Sequence, residues 1–171
     1  MKKSIVFSEK KKTALTVWRV VLTAVCAAVT SWIFWNSSLS ADDSTDQSSP
    51  ITDALNNFLR SLNIPLTLDE NAVRKTAHFT EYAILGALLA VTVYLYVKEK
   101  RHKRGLTAAF ALPIGAVVAV CDELIQTASA GRSCEVRDMF IDFSGILFST
   151  LIVIGIISLR EKRKTQKTKE G

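Results

Sequence analysis

The chain has 171 residues, about half of them hydrophobic, and a formal net charge of +6. Long apolar stretches take up so much of it that a separate soluble domain of about 100 residues has no room. The basic residues flank those stretches without a nucleic-acid reading module, so nucleic acid is excluded as a partner.

Residues 1–16 form a basic N-terminal segment, followed by a first apolar stretch at 17–35. A hydrocarbon core about 30 Å thick takes roughly 20 helical residues to cross. Without water for the backbone, such a stretch is a helix. Trp32 and Trp35 suit an interfacial belt, and Arg19 can snorkel to the opposite interface. The basic start, the apolar run and Ser38-Leu39-Ser40 also resemble a signal peptide with a small-residue cleavage site. The length of the run and the tryptophans favour a retained helix.

Residues 36–49 are polar, acidic and Ser-rich, and predict a flexible linker. A short amphipathic helix follows at 51–62, with Ile51, Ala54, Leu55, Phe58, Leu59 and Leu62 on one face, Ser49 as N-cap and Pro50 in the first turn. It either lies on the outer leaflet or covers the bundle as a packing helix. Pro65 ends it. Thr67-Leu-Asp-Glu70 fits a capping box that starts the next helix near Leu68. That helix carries the second span, 77–97. A basic loop at 98–104 leads to the third span, 106–126, which contains Pro113 and has the potential to kink there. The fourth span is 140–159, and a basic tail occupies 160–171. Cys26 and Cys121 lie in spans and Cys134 in a loop; they form no disulfide framework, although a Cys121–Cys134 bridge is conceivable.

Seventeen Lys and Arg residues lie in 1–19, 98–104 and 160–171, against five in 36–76 and 127–138. The positive-inside rule then places both termini in the cytoplasm. The expected architecture is an all-α bundle of four transmembrane helices over 17–159, with the amphipathic helix outside.

On this topology the ionisable residues of the outer side converge. Arg74, His78, Glu81 and Leu85 share one face of the second span, with Lys75 and Tyr82 on an adjacent stripe. Asp122, Glu123 and Gln126 end the third span. A short loop with Gly131, Arg132, Glu135 and Arg137 follows, then Asp138 and, one turn deeper, Asp142. Gly145 and Ser149 continue that face with small residues, which allows close packing. Gly131 permits a positive φ. Ionisable groups at bilayer depth are costly, so the cluster reads as a site. A self-neutralising network that fixes helix register is the alternative. Glu135 and Arg137 are equally compatible with solvated loop charges.

Arg74-Lys75-x-x-His78-Phe79-x-Glu81-Tyr82 with Leu85-Gly86, and Asp122-Glu123-Leu124-Ile125-Gln126 with Gly131-Arg132 and Asp138, resemble the two signatures of the VanZ-like family of bacterial membrane proteins. Asn36-Ser37-Ser38 resembles a weaker family feature. The resemblance covers roughly residues 14–159. The family pattern favours an aromatic and a proline where this chain has Thr127-Ala-Ser-Ala, and Asn where it has Asp142. The resemblance implies a multi-pass protein of the bacterial cytoplasmic membrane, with a role in the cell envelope and in susceptibility to teicoplanin-type glycopeptides.

Three functional classes follow. In the first, an outer pocket binds an anionic lipid headgroup or a lipid-linked wall precursor through Arg74, Lys75 and Arg132, with His78, Glu81, Tyr82, Asp122, Glu123, Gln126, Asp138 and Asp142 completing the ligand-binding set. In the second, a membrane-embedded hydrolase or transferase uses His78, Glu81 and Asp122 as catalytic groups, with a divalent metal on Asp122, Glu123 and Asp138. No Ser nucleophile motif is present. In the third, the cluster is packing glue in a structural subunit. Four spans with no inverted repeat argue against a transporter. Homo-oligomerisation is compatible with all three.

Overall fold

A computed structural model describes residues 2–132 and 135–170. Its elements are five helices: α1 (Lys2–Ser37), α2 (Ala41–Ser61), α3 (Glu70–Val97), α4 (Lys103–Thr127) and α5 (Val136–Glu170). Helices α1, α3, α4 and α5 are each long and apolar enough to cross a membrane. The chain is therefore an all-α, multi-pass membrane protein. The four spans read from the sequence fall inside these helices; α1, α4 and α5 run past them at both ends, and α3 extends past its span at the N-terminal end and stops with it at Val97.

Helix α3 is central and packs against each of the other four, most extensively against α5. Ile33, Tyr82, Leu85 and Ile146 are fully buried between the long helices. Much of the remaining apolar surface, including Val20, Val117 and Leu151, points outward, as expected where lipid is the solvent. In such a setting close backbone approach replaces hydrophobic exclusion as the packing force. A Cβ on Gly86 would lie 2.5 Å from Ser149 Oγ and 2.7 Å from Ile146 Cα, and one on Gly145 would lie 2.5 Å from the Phe79 carbonyl oxygen. The α3–α5 crossing therefore needs glycine on both helices.

The two ends of the bundle differ in chemistry. At one end Arg19 donates to the Leu95 carbonyl at 2.8 Å, and Lys103 pairs with Glu161 at 2.6 Å. At the other end the C-termini of α1 and α4 meet the N-termini of α3 and α5, and this end carries the motif residues. Trp32 and Trp35 stack edge-on near it, with centroids 5.4 Å apart.

The segment read as a linker is helical from Ala41. Ser40, not Ser49, is the N-cap: its hydroxyl accepts from the Asp43 amide at 3.1 Å. Pro50 therefore lies inside α2 instead of opening it. A tertiary tie holds the start of the helix, where the Ala41 amide donates to the Ala130 carbonyl at 3.0 Å. Thr52 and Asn56 are the buried residues of α2, while Ile51, Leu55 and Phe58 are exposed. Asn56 pins the following loop by donating to the Leu68 carbonyl at 3.0 Å and accepting from its amide at 2.8 Å. Helix α3 starts at Glu70, two residues later than the sequence suggests. Asp69 caps it by accepting from the Ala72 amide, so the Thr67–Glu70 capping box does not form. Pro113 sits within an uninterrupted α4.

Candidate ligand-binding site

The i, i+4 and i, i+3 spacings of α3 place Arg74, Lys75 and His78 on the side of the helix that faces α5 and the loop residues Gly131, Arg132 and Glu135. With Gln126 of α4, Arg132 and Glu135 of the loop, and Asp138 and Asp142 of α5, they line a cavity of about 100 Å³. Ala41, Gly131 and Ile141 complete the lining. Gly131 has φ +72°, so the loop turns back here in a conformation that suits glycine.

The cations in this cavity are not equivalent. Lys75 Nζ lies 2.5 Å from Asp138 Oδ1 and 3.4 Å from Glu135 Oε2, so its charge is matched. Among the described residues, Arg74 and Arg132 form no ion pair with a carboxylate. Arg132 Nη1 instead points at the last carbonyls of α1, 3.4 Å from Asn36 O and 3.3 Å from Ser37 O. A guanidinium at the negative end of a helix dipole is favourable. Burial, followed by the neighbouring charge of Arg74, holds the Arg132 pKa below the usual arginine value.

Beneath the cations lies a layer of acids. Asp122, Glu123 and Asp142 are fully buried. His78 Nδ1 stands 3.6 Å from Asp142 Oδ1 and 4.0 Å from Asp122 Oδ2, and the three side chains form one compact donor group. Gln126 donates to Asp122 at 3.3 Å, and Glu123 Oε2 accepts from the Glu135 amide at 3.2 Å. The trio that could hold a metal is thus His78, Asp122 and Asp142, whereas Asp138 is engaged by Lys75 at the rim and Glu123 by the loop backbone. Glu81 turns toward α1, where Asn36 Nδ2 donates to it at 3.2 Å. Tyr82 is fully buried and lines no part of the cavity. Arg137 is exposed, away from it.

The α1 terminus belongs to the site, although only its resemblance to a family feature marks it in the sequence. Ser37 is buried, and its hydroxyl accepts from Gln126 at 3.4 Å. Cys26 and Cys121 are free; the conceivable partner of Cys121, Cys134, lies outside the described residues.

The VanZ/LLP1 family model matches residues 21–158, which span α1 to α5 and every residue of this cavity. The chain belongs to the VanZ/LLP1 family. No curated protein and no solved structure matches it. In this VanZ/LLP1 protein the two signature segments supply opposite walls of one cavity. Arg74, Lys75 and His78 come from the α3 segment, and Gln126, Arg132 and Asp138 from the α4–loop–α5 segment.

A second cavity of about 210 Å³ shares Arg74, His78 and Arg132 with the first. It shares Ile51, Val73, Ala77 and Glu81 with an apolar groove of about 380 Å³ between α2 and α3. Leu55, Leu68, Ala72, Thr76 and Thr80 line the rest of the groove. Polar cavity and apolar groove are therefore continuous along α3.

Proposed function

We propose that this protein binds an anionic lipid headgroup or a lipid-linked wall component in the polar cavity, with the hydrocarbon chain of that lipid lying in the α2–α3 groove. The observation that carries the reading is the pair Arg74 and Arg132. These two guanidiniums share one cavity and have no carboxylate partner among the described residues. They repel one another, and a phosphate or carboxylate relieves this by bidentate, charge-assisted hydrogen bonds. A purely self-neutralising network would have closed both onto the nearby acids. Continuity with an apolar groove favours a lipid over a free anion.

The distribution of Lys and Arg supports a reading in which the cavity opens on the outer side of the bacterial cytoplasmic membrane with both termini inside, and the exposure of Ile51, Leu55 and Phe58 supports α2 lying against the outer leaflet. A protein of this kind acts on the cell envelope, and an altered supply of lipid-linked component at the surface is a route to changed glycopeptide susceptibility. Lipid co-purification tests the binding. Wild-type protein is expected to retain a specific anionic lipid that Arg132→Ala loses at least tenfold, since a charge-assisted contact contributes about 1.5–3 kcal/mol. Equal retention of every anionic lipid by both proteins contradicts the proposal.

A further inference from the structure

We infer that His78, Asp122 and Asp142 form a binding site for one small divalent cation, of the kind that prefers oxygen with one nitrogen ligand, such as Mn²⁺. The site deepens the reading of the cavity as a phosphate-binding site, but stands on its own geometry.

Three observations carry it. The first is spacing. One donor atom from each side chain lies within 4.8 Å of the others, and His78 Nδ1 is 3.6 and 4.0 Å from the two carboxylates. Ligands about 2.1 Å from a common ion sit roughly 3–4 Å apart. Both separations are too long for hydrogen bonds, and a trio that merely neutralised itself would close to about 2.7–2.9 Å.

The second is unmet demand. Among the described residues, Asp122 Oδ1 and both oxygens of Asp142 are buried without a hydrogen-bond partner. Both residues are 0% exposed. Buried carboxylate oxygens in this state are rare, and an ion is one of the few things that satisfies them.

The third is charge. At this depth two buried acids, Asp122 and Asp142, face one histidine, while Lys75 is engaged by Asp138 and Glu135. A divalent ion brings the missing positive charge, and the donor set of one imidazole and two carboxylates suits Mn²⁺ better than softer ions. His78 and Asp142 also line the cavity. Open coordination positions on such an ion would therefore face a phosphate held by Arg74 and Arg132.

The test uses full-length protein in detergent, stripped with EDTA, delipidated and desalted. Titration with MnCl₂ is followed by the electron paramagnetic resonance signal of free Mn²⁺. The wild type is expected to withdraw about one ion per chain. Asp142→Ala and His78→Ala are expected to bind at least about tenfold more weakly. Glu161→Gln, which removes a carboxylate at the opposite end of the bundle, should bind as wild type. No uptake by the wild type, or equal uptake by all variants, overturns the site. If the alanine variants do not fold, Asp142→Asn replaces them, and a rise in wild-type melting temperature with Mn²⁺ is required; no rise overturns the site. Arg132→Ala separates the two proposals, since it should lose lipid and keep Mn²⁺.

Discussion

Gly145→Leu is expected to abolish the native bundle. The Cβ of any side chain at 145 would meet the Phe79 carbonyl oxygen at 2.5 Å and the Ala83 amide nitrogen at 3.0 Å. These are backbone atoms of a regular helix and cannot swing aside as a flexible side chain would, so α5 must be pushed off α3. Overpacking a tight interface costs about 1–3 kcal/mol when the structure adjusts locally, and more when it cannot. The α3–α5 crossing is also the most extensive helix pairing in the molecule, so its disruption leaves little to hold α5 in place. Gly155→Leu is the control: nothing lies within 4 Å of a Cβ built there. Thermal unfolding of detergent-solubilised protein, followed by size-exclusion chromatography, should find Gly145→Leu aggregated or melting far below Gly155→Leu. Equal melting would show that α3 and α5 can separate at this point without cost. The same crossing sets His78 opposite Asp142, so a partially folded Gly145→Leu protein should also lose the site.

His78→Leu is expected to destabilise the metal-free protein by roughly 3 kcal/mol, because removing one partner of a buried ionic cluster strands the other. The side chain of His78 keeps 19% exposure, so the cost falls at the low end of the usual range. The stranded groups are Asp122 and Asp142, neither of which touches solvent. Replacing Asp142 by the nearly isosteric Asn removes one of the stranded charges. The double variant His78→Leu/Asp142→Asn should therefore regain much of the loss. Unfolding of the four proteins of this cycle in a mixed-micelle titration gives the coupling directly. Additive effects would mean that His78 and Asp142 do not interact.

The spans are legible in the sequence because hydropathy reports membrane depth, and α1, α3, α4 and α5 contain them. Their full lengths are not, since backbone hydrogen bonding continues past the hydrocarbon into charged segments such as 160–170. Composition hides the start of α2. Ser- and Asp-rich sequence reads as linker, whereas Ser40 caps the helix and the amide of Ala41 is held by Ala130 from a distant loop. The sequence points to Thr67 as the cap of α3, whereas Asp69 caps it, and Asn56 holds Leu68 just ahead of that cap.

In the candidate site, helical periodicity is enough to put Arg74, Lys75 and His78 on one face. It cannot say which acid meets His78. Glu81 is its neighbour on the same helix but turns to Asn36, while Asp142 arrives from α5 because Gly86 and Gly145 set the register. The separate fates of the cations are equally hidden. Lys75 is satisfied by Asp138, Arg137 faces outward, and Arg74 and Arg132 are left facing the cavity. Those differences depend on loop geometry around Gly131 that no local pattern encodes.

The proposed function requires that Arg74 and Arg132, which line one cavity, open on the outer face of the membrane. The direct measurement is labelling of single-cysteine variants Arg74→Cys and Arg132→Cys, with Cys26, Cys121 and Cys134 replaced by serine. The reagent is a membrane-impermeant maleimide applied to intact cells. Both positions should react from outside, and each should be protected by a short bifunctional crosslinker when the two cysteines are combined in one chain. Reaction only after the membrane is permeabilised, or the absence of any crosslink between the two positions, would contradict a shared outward-facing cavity.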